Sequence, residues 1–255
     1  MNGLGRGLAT LAGLLLVWQA VVMLGDLPPY ILPDPWAVAR SLWHHGGSLL
    51  HHAGVTALEI VLGMVLGTLL GCGSALVLGY SRRARRWLLP ALVASQAIPV
   101  FAIAPLLVLW LGYGMSSKIA MAMLVIYFPV TANFYDGLRH TRRGWLDLAR
   151  VMLPEQRRWA VLRHIAIPAA LPALASGLRV AAAVAPIGAV LGEWVGSSAG
   201  LGYLMLHANS RMQVDLMFAA LFVLAALAVG LYFLVDAGSK RWLPWHRPSP
   251  ETETD

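Results

Sequence analysis

The sequence has little of what a water-soluble protein carries on its surface. Only 12% of its 255 residues are charged, about half of the roughly 25% found in soluble domains, and this excludes an ordinary hydrated surface. The single cysteine, Cys72, can form neither an internal disulfide nor a CxxC metal site. Lysine occurs only at Lys118 and Lys240, neither of which follows a glycine, so the chain has no Gly-Lys-Ser/Thr phosphate-binding loop.

Apolar residues dominate the chain and fall into six long runs. They make up 58% of the sequence, and a bilayer core of about 30 Å needs roughly 20 apolar helical residues to cross it. The predicted spans are 8–24, 53–80, 87–113, 119–137, 169–195 and 216–235. We therefore predict an all-α polytopic membrane protein with about six transmembrane helices, a transmembrane domain over 1–243 and a disordered tail over 244–255.

The basic residues predict the orientation of these spans. The N-terminus, the connections after spans two and four, and the tail together hold 15 Lys and Arg residues, against three in the connections on the other side. Cytoplasmic loops are enriched in such residues, so we predict that both termini lie in the cytoplasm. The basic residues form no stripe interleaved with stacking aromatics, which argues against a nucleic-acid partner despite the net charge of +7.

Small residues recur at every fourth position in two of the spans. The sets are Gly63, Gly67, Gly71, Ala75 and Gly79 in span two, and Ala173, Gly177, Ala181, Ala185 and Ala189 in span five. Lipid tails are as apolar as leucine, so membrane helices associate through the close backbone approach that small residues permit. These two ladders predict two helices that can cross tightly.

Two glutamates interrupt the apolar spans at the ends of the ladders. Glu59 lies four residues before Gly63, and Glu193 lies four residues after Ala189. A carboxylate inside the bilayer is costly and usually faces protein or water, so both are candidates for a translocation pathway near the outer surface. Snorkelling and structural hydrogen bonding are the alternatives. Arg179, deeper in span five, is predicted to be a structural charge with a partner.

Span three combines polar residues with prolines. Ser95 and Gln96 precede Pro99 and Pro105, and two prolines six residues apart remove backbone donors and distort a helix. Such a helix is tolerated where neighbours or a water-filled cavity satisfy the freed carbonyl groups. These four residues are further candidates for the pathway, although kinked helices also occur in inert bundles.

The segment between spans four and five carries the most specific pattern. Residues 144–172 form two short helical patterns that separate near Leu153 and Pro154 and end at a proline pair. Here the sequence resembles the permease subunits of bacterial binding-protein-dependent ABC importers, whose cytoplasmic loop begins with Glu-Ala-Ala and turns at a glycine. The matching positions are Asp147, Leu148, Ala149, Leu153, Pro154, Glu155, Ile167 and Pro168. Leu153 stands where the family has its glycine, so the turn departs from the family pattern.

The resemblance extends over about 33–236 and involves several further stretches. They include Ile98-Pro99, Ala104-Pro105-Leu106, Phe128-Pro129, Gly177-Leu178-Arg179 and Gly200-Leu201-Gly202-Tyr203. It is closest to the branch that imports nitrate, taurine, aliphatic sulfonates and thiamine precursors. The context of Gly192-Glu193-Trp194 is most similar to the hydroxymethylpyrimidine permeases.

The resemblance implies a division of labour in the bacterial inner membrane. Two copies of this chain would form the pathway, and an extracytoplasmic binding protein would deliver a small polar solute. Two separate ATPase subunits, which hold ATP and Mg²⁺, would bind a coupling helix-turn-helix between Asp147 and Ile167. This chain itself would then be no enzyme and would hold no cofactor or metal.

Two other functions compete with this interpretation. A passive channel or secondary carrier could also have a basic cytoplasmic loop, and it would transport without an ATPase partner. An intramembrane enzyme could use Glu59, Glu193 and a histidine as metal ligands, but no HExxH or comparable cluster lies within a span.

Overall fold

The computed structural model describes residues 3–141, 144–145 and 158–243, and this part of the chain is helical and contains no strand. Its helices are α1 (Gly3–Leu24), α2 (Pro35–His44), α3 (Gly46–Tyr80), α4 (Arg82–Ser95), α5 (Val100–Leu111), α6 (Met115–Arg139), α7 (Arg158–Val161), α8 (Ile167–Gly196), α9 (Leu201–Ser210) and α10 (Val214–Trp242). A π-helical turn over Leu162–Ala166 joins α7 to α8. The predicted all-α class is confirmed.

Within the described residues, five helical segments are long and apolar enough to cross a membrane, and α4 with α5 makes a sixth if the two count as one span. The predicted span 87–113 differs from the structure, because α4 and α5 are bent by 101° at the residues between them. Pro99 explains the position of the break. Proline disfavours helical geometry at the preceding residue, Ile98, and Pro99 itself has an extended ψ of 122°.

Helices α3, α6 and α8 form the core of the bundle, and α6 lies against both small-residue ladders. A Cβ added to Gly63 would lie 2.6 Å from Ala122 Cβ, and one added to Gly71 would lie 2.9 Å from Val130 Cγ1. In the span-five ladder, a Cβ added to Gly177 would lie 2.8 Å from Asn133 Cβ of α6. The ladders therefore let two helices approach the same central helix closely, which the sequence pattern predicted only as close crossing.

The packing register fixes the relative directions of these three helices. Partner numbers rise together between α3 and α6, from Gly63 at Ala122 to Gly79 at Leu138, so the two are parallel. Between α6 and α8 the partner numbers rise in one helix as they fall in the other, so α8 runs antiparallel to α6. Because α3 and α6 run in the same direction, α4 and α5 must return the chain across the bundle. The bent pair therefore counts as one crossing, which brings the candidate crossings among the described residues to six.

The bundle has two distinct ends. At the glutamate end lie the first half of α3, the start of α6 and the end of α8; at the loop end lie Tyr80, the end of α6 and the start of α8. Helices α9 and α10 cover the glutamate end, where Leu201 and Leu204 pack with Leu216 and Ala219. Helix α1 reaches the same region, because the Trp18 ring stacks on Phe222 at 5.6 Å.

Candidate functional site

Glu193 is buried at the glutamate end and accepts hydrogen bonds from two other elements. The residue is only 1% exposed to solvent. Thr56 Oγ1 of α3 donates to Glu193 Oε1 at 2.6 Å. The backbone N–H groups of Gly202 and Tyr203 donate to Glu193 Oε2. This carboxylate therefore joins α8 to α3 and to the first turn of α9.

The donors at the start of α9 belong to the backbone groups that a helix leaves unpaired. The first N–H groups of a helix have no partner within it, and together they make its N-terminus a favourable place for an anion. Here Glu193 accepts from two of them, while Leu201 N donates to Thr56 Oγ1 at 2.8 Å. Gly200 N donates to His52 Nδ1 at 3.0 Å. The irregular turn before α9 is thus satisfied inside the protein.

Glycine is required at position 200 by both conformation and space. The backbone has φ 119° and ψ 164°, a region essentially restricted to glycine. A Cβ there would lie 2.2 Å from Glu193 Cδ. Gly202 is also close, since its added Cβ would lie 2.8 Å from Glu193 Oε2. The glycine-rich sequence after Trp194 is explained by the approach of the backbone to this carboxylate.

Glu59 lies beside this arrangement, one helical turn after Thr56. It is 0% exposed, and its Oε1 lies 3.3 Å from Lys118 Nζ, which is itself buried. Apart from this ion pair, neither Glu59 oxygen has a hydrogen-bond donor. Thr56, one turn before Glu59 on α3, donates to Glu193, so the two buried carboxyl groups lie in the same region of the glutamate end. We call Thr56, Glu59, Lys118 and Glu193 the buried cluster.

The burial of both glutamates removes the snorkelling alternative and supports structural bonding. The sequence analysis missed Lys118, Thr56 and His52 as their partners. A signal was present for Lys118, because one of only two lysines in the chain stands immediately before predicted span four. No local signal pointed to Thr56, whose bond to Glu193 joins residues 137 positions apart.

The span-three candidates lie in a different environment from the glutamates. Ser95, Gln96, Pro99 and Pro105 are all exposed on the surface of this chain, at or near the bend between α4 and α5. Ser95 Oγ donates to the Leu92 carbonyl and Gln96 Nε2 donates to Ser95 Oγ, so the bonds described for these side chains are local. The structure brings Glu59 and Glu193 together, whereas these four residues are not among the buried cluster's partners.

Part of the predicted coupling segment can be located. Asp147, Leu148, Ala149, Leu153, Pro154 and Glu155 lie outside the described residues. Ile167 and Pro168 form the start of α8, and α7 and the π-helical turn lead directly into them. Leu162 and Ala166 of the turn are buried with Phe134 and Leu138 of α6.

Arg179 has a charged partner, as the sequence analysis predicted. Its Nη1 donates to Asp236 Oδ1 of α10 at 3.0 Å, and Lys240 Nζ lies 2.6 Å from Asp236 Oδ2. These side chains are partly or mainly exposed, with Lys240 at 70%. We call Arg179, Asp236 and Lys240 the surface cluster.

Comparisons with known proteins show that this chain is similar to transport proteins. The family model described as binding-protein-dependent transport system inner membrane component matches residues 63–243. The chain is 61% identical to a probable ABC transporter permease protein of Haemophilus influenzae, over 88% of this chain and 90% of the relative. It is 35% identical to the formylaminopyrimidine transport permease protein ThiX of Halalkalibacterium halodurans, over 92% and 93%.

A solved structure has the same fold. A chain of the MetNI methionine ABC transporter, in an inward-facing conformation, superimposes with a TM-score of 0.60 at 18% identity, covering 78% of this chain and 96% of that chain. The matched family model covers more than half of the sequence and includes α3 from Gly63 onward, the bent pair, α6 and α8. The chain therefore belongs to the family of binding-protein-dependent transport system inner membrane components.

Proposed function

We propose that this chain is the permease subunit of an ATP-driven importer of a small polar solute, and that it is moved from its loop end by a separate ATPase. The observation that carries this proposal is the continuity of the segment before α8 with the core. Leu162 and Ala166 are buried against α6, and α8 follows without a break. A force applied to this segment would therefore act directly on two of the three core helices.

In this proposal the ATPase binds the segment from Asp147 to Ile167, with ATP and Mg²⁺ held by the ATPase. Tyr80 at the end of α3 contacts Trp159, with ring centroids 6.4 Å apart. The segment thus touches the third core helix as well. The distribution of basic residues supports a cytoplasmic position for this end, and with six crossings both termini would lie in the cytoplasm of the inner membrane.

The bend between α4 and α5 supports a pathway made by two copies of the chain. Ser95 and Gln96 are exposed there, in the pair of helices that would form the third crossing. Polar groups at membrane depth are tolerated where they face protein or a water-filled cavity. We infer that this surface faces the second copy and the solute, with Pro99 and Pro105 shaping it. A binding protein on the other side of the membrane would deliver the solute.

The solutes named for the relatives include a formylaminopyrimidine, riboflavin and taurine. ThiX, at 35% identity, is named as a formylaminopyrimidine permease. The taurine permease TauC of Escherichia coli is 29% identical over 94% of this chain. We favour a pyrimidine precursor of thiamine over a nitrate or sulfonate anion. Binding of both classes to the cognate binding protein, measured by calorimetry, tests this choice; selective binding of sulfonate would contradict it.

The coupling proposal is tested by replacing residues 147–163 with a flexible linker of equal length. We expect the ATPase to be lost on co-purification and ATP-driven uptake to disappear, while the permease remains in the membrane. The matched control replaces residues 244–255, the predicted tail, with a linker of equal length, and should retain both. An unchanged complex with unchanged transport after the 147–163 replacement would contradict the proposal.

A further inference from the structure

The buried cluster has an imbalance of charge. Glu59 and Glu193 are 0% and 1% exposed, and Lys118 is 6% exposed. With both carboxyl groups ionised, the cluster would carry two negative charges against one positive charge. Two adjacent carboxylates away from water repel each other strongly, and each buried ion loses its hydration. A second positive charge or a bound proton is needed for neutrality.

The described neighbours supply no second cation. His52 is the other basic side chain nearby, and its Nδ1 accepts the hydrogen bond from Gly200 N, so this ring nitrogen carries no proton. The described donors to Glu193 are the Thr56 hydroxyl and the backbone N–H groups of Gly202 and Tyr203. All of these are neutral donors.

The pattern of donors distinguishes the two carboxyl groups. Glu193 accepts one hydroxyl and two backbone N–H donors, and it lies at the N-terminus of a ten-residue helix, where negative charge is stabilised. Glu59 has Lys118 3.3 Å from Oε1 and otherwise no hydrogen-bond partner. The arrangement around Glu193 suits a carboxylate, while Glu59 is placed to donate.

We propose that Glu59 and Glu193 form a buried proton-binding site, in which Glu59 is a carboxylic acid that donates its hydrogen to the Glu193 carboxylate. Lys118 then balances the single remaining negative charge. Two carboxyl groups that cannot both ionise share one proton in this way in other proteins. Because Glu193 also holds the start of α9, the bound proton allows α3, α8 and α9 to meet inside the membrane without net charge. This inference does not depend on the identity of the transported solute.

Infrared spectroscopy of the purified full-length chain tests the site directly. At neutral pH the wild-type protein should show the carbonyl stretch of a protonated carboxylic acid, and the band should shift in D₂O. The Glu59→Gln variant should lose this band. The control, Asp136→Asn, removes an exposed carboxyl group of α6 and should retain it. Absence of the band in the wild type, or its persistence in Glu59→Gln, would overturn the proposal.

Thermal unfolding of two amide variants provides a second readout. In Glu59→Gln the amide NH₂ can donate to Glu193 as the acid does, so the melting temperature should stay near that of the wild type. In Glu193→Gln the amide NH₂ would face N–H and O–H donors, so the melting temperature should fall or the protein should fail to fold. Equal losses in both variants, or failure of Glu59→Gln to fold, would contradict the assignment of the proton to Glu59.

Discussion

The two charged clusters of this membrane protein differ in their exposure to solvent and in their charge balance. The charged members of the buried cluster are Glu59, Lys118 and Glu193 at the glutamate end, and each is at most 6% exposed. The surface cluster joins Arg179, Asp236 and Lys240 toward the loop end, where Lys240 is 70% exposed. The first has an excess of acid and the second an excess of base.

The difference shows how burial decides what a charge can do. Water or lipid headgroups can compensate the extra base of the surface cluster, because its side chains reach the outside. The buried cluster has no such access and must be neutralised by its own protein groups and by bound hydrogen. Removing a charge should therefore be costly in the buried cluster and nearly neutral in the surface cluster.

The same substitution in both clusters gives the largest expected contrast. Lys118→Met removes the positive charge that balances the remaining buried carboxylate, and leaving a buried charge without its partner typically costs about 3–5 kcal/mol. Lys240→Met makes the same chemical change at an exposed position and should leave the protein's thermal stability unchanged. Thermal unfolding in detergent compares the two variants, and equal melting temperatures would remove the distinction between the clusters.

A pair of glycine variants separates the contacts of Glu193 from backbone strain. Gly112 has φ 81° and ψ 173° with nothing within 4 Å of an added Cβ, so Gly112→Ala should cost only the strain, about 1–3 kcal/mol. Gly200→Ala has similar strain and also displaces Glu193, which adds about 1–3 kcal/mol for its unsatisfied donors. Denaturation curves should place Gly200→Ala clearly below Gly112→Ala. If the two variants coincide, the hydrogen bonds to Glu193 contribute little to stability.

Alanine substitutions at a glycine beside each cluster test whether close helix packing also differs between the buried cluster and the surface cluster. A Cβ at Gly192 would lie 3.0 Å from Lys118 Cα, so Gly192→Ala should push α8 away from α6 and cost about 1–3 kcal/mol. Gly238, two residues after Asp236, has nothing within 4 Å, so Gly238→Ala should be neutral or slightly stabilising. Melting temperatures in the same detergent provide the measurement. A loss of stability in Gly238→Ala equal to that in Gly192→Ala would argue against close packing as the cause.

The smallest effect is expected within the surface cluster itself. Arg179→Gln should lower the melting temperature only slightly, because exposed ion pairs contribute little and salt screens them. The difference from the wild type should shrink further at high salt. A large loss that persists at high salt would mean that Arg179 belongs with the buried type of charge.

The sequence contained enough to predict the spans and the costly charges, but not their partners. Hydropathy predicted about six membrane helices, in agreement with the five or six candidates among the described residues, and the cost of a carboxylate in a bilayer singled out Glu59 and Glu193. Their bonding depends on contacts between distant parts of the chain, such as Thr56 with Glu193. The pairing of the ladders was similarly hidden, because α6 presents Ile126 and Val130 to them and has no ladder of its own.

The break in span three was only partly predictable. The prolines predicted a distortion of the helix, and Pro99 lies at the break. The bend of 101° is set by tertiary packing, in which Ala104 and Leu107 of α5 are buried with Met121 of α6. No pattern within residues 87–113 encodes the position of α6.

Solute uptake into vesicles tests the central claim most directly. The permease would be reconstituted alone, and also with its ATPase and binding protein, and radiolabelled solute would be followed with ATP or with a non-hydrolysable analogue. We expect uptake only with the complete complex and hydrolysable ATP, and an undisturbed solute gradient with the permease alone. Dissipation of the gradient by the permease alone would contradict the account and identify a passive channel or carrier.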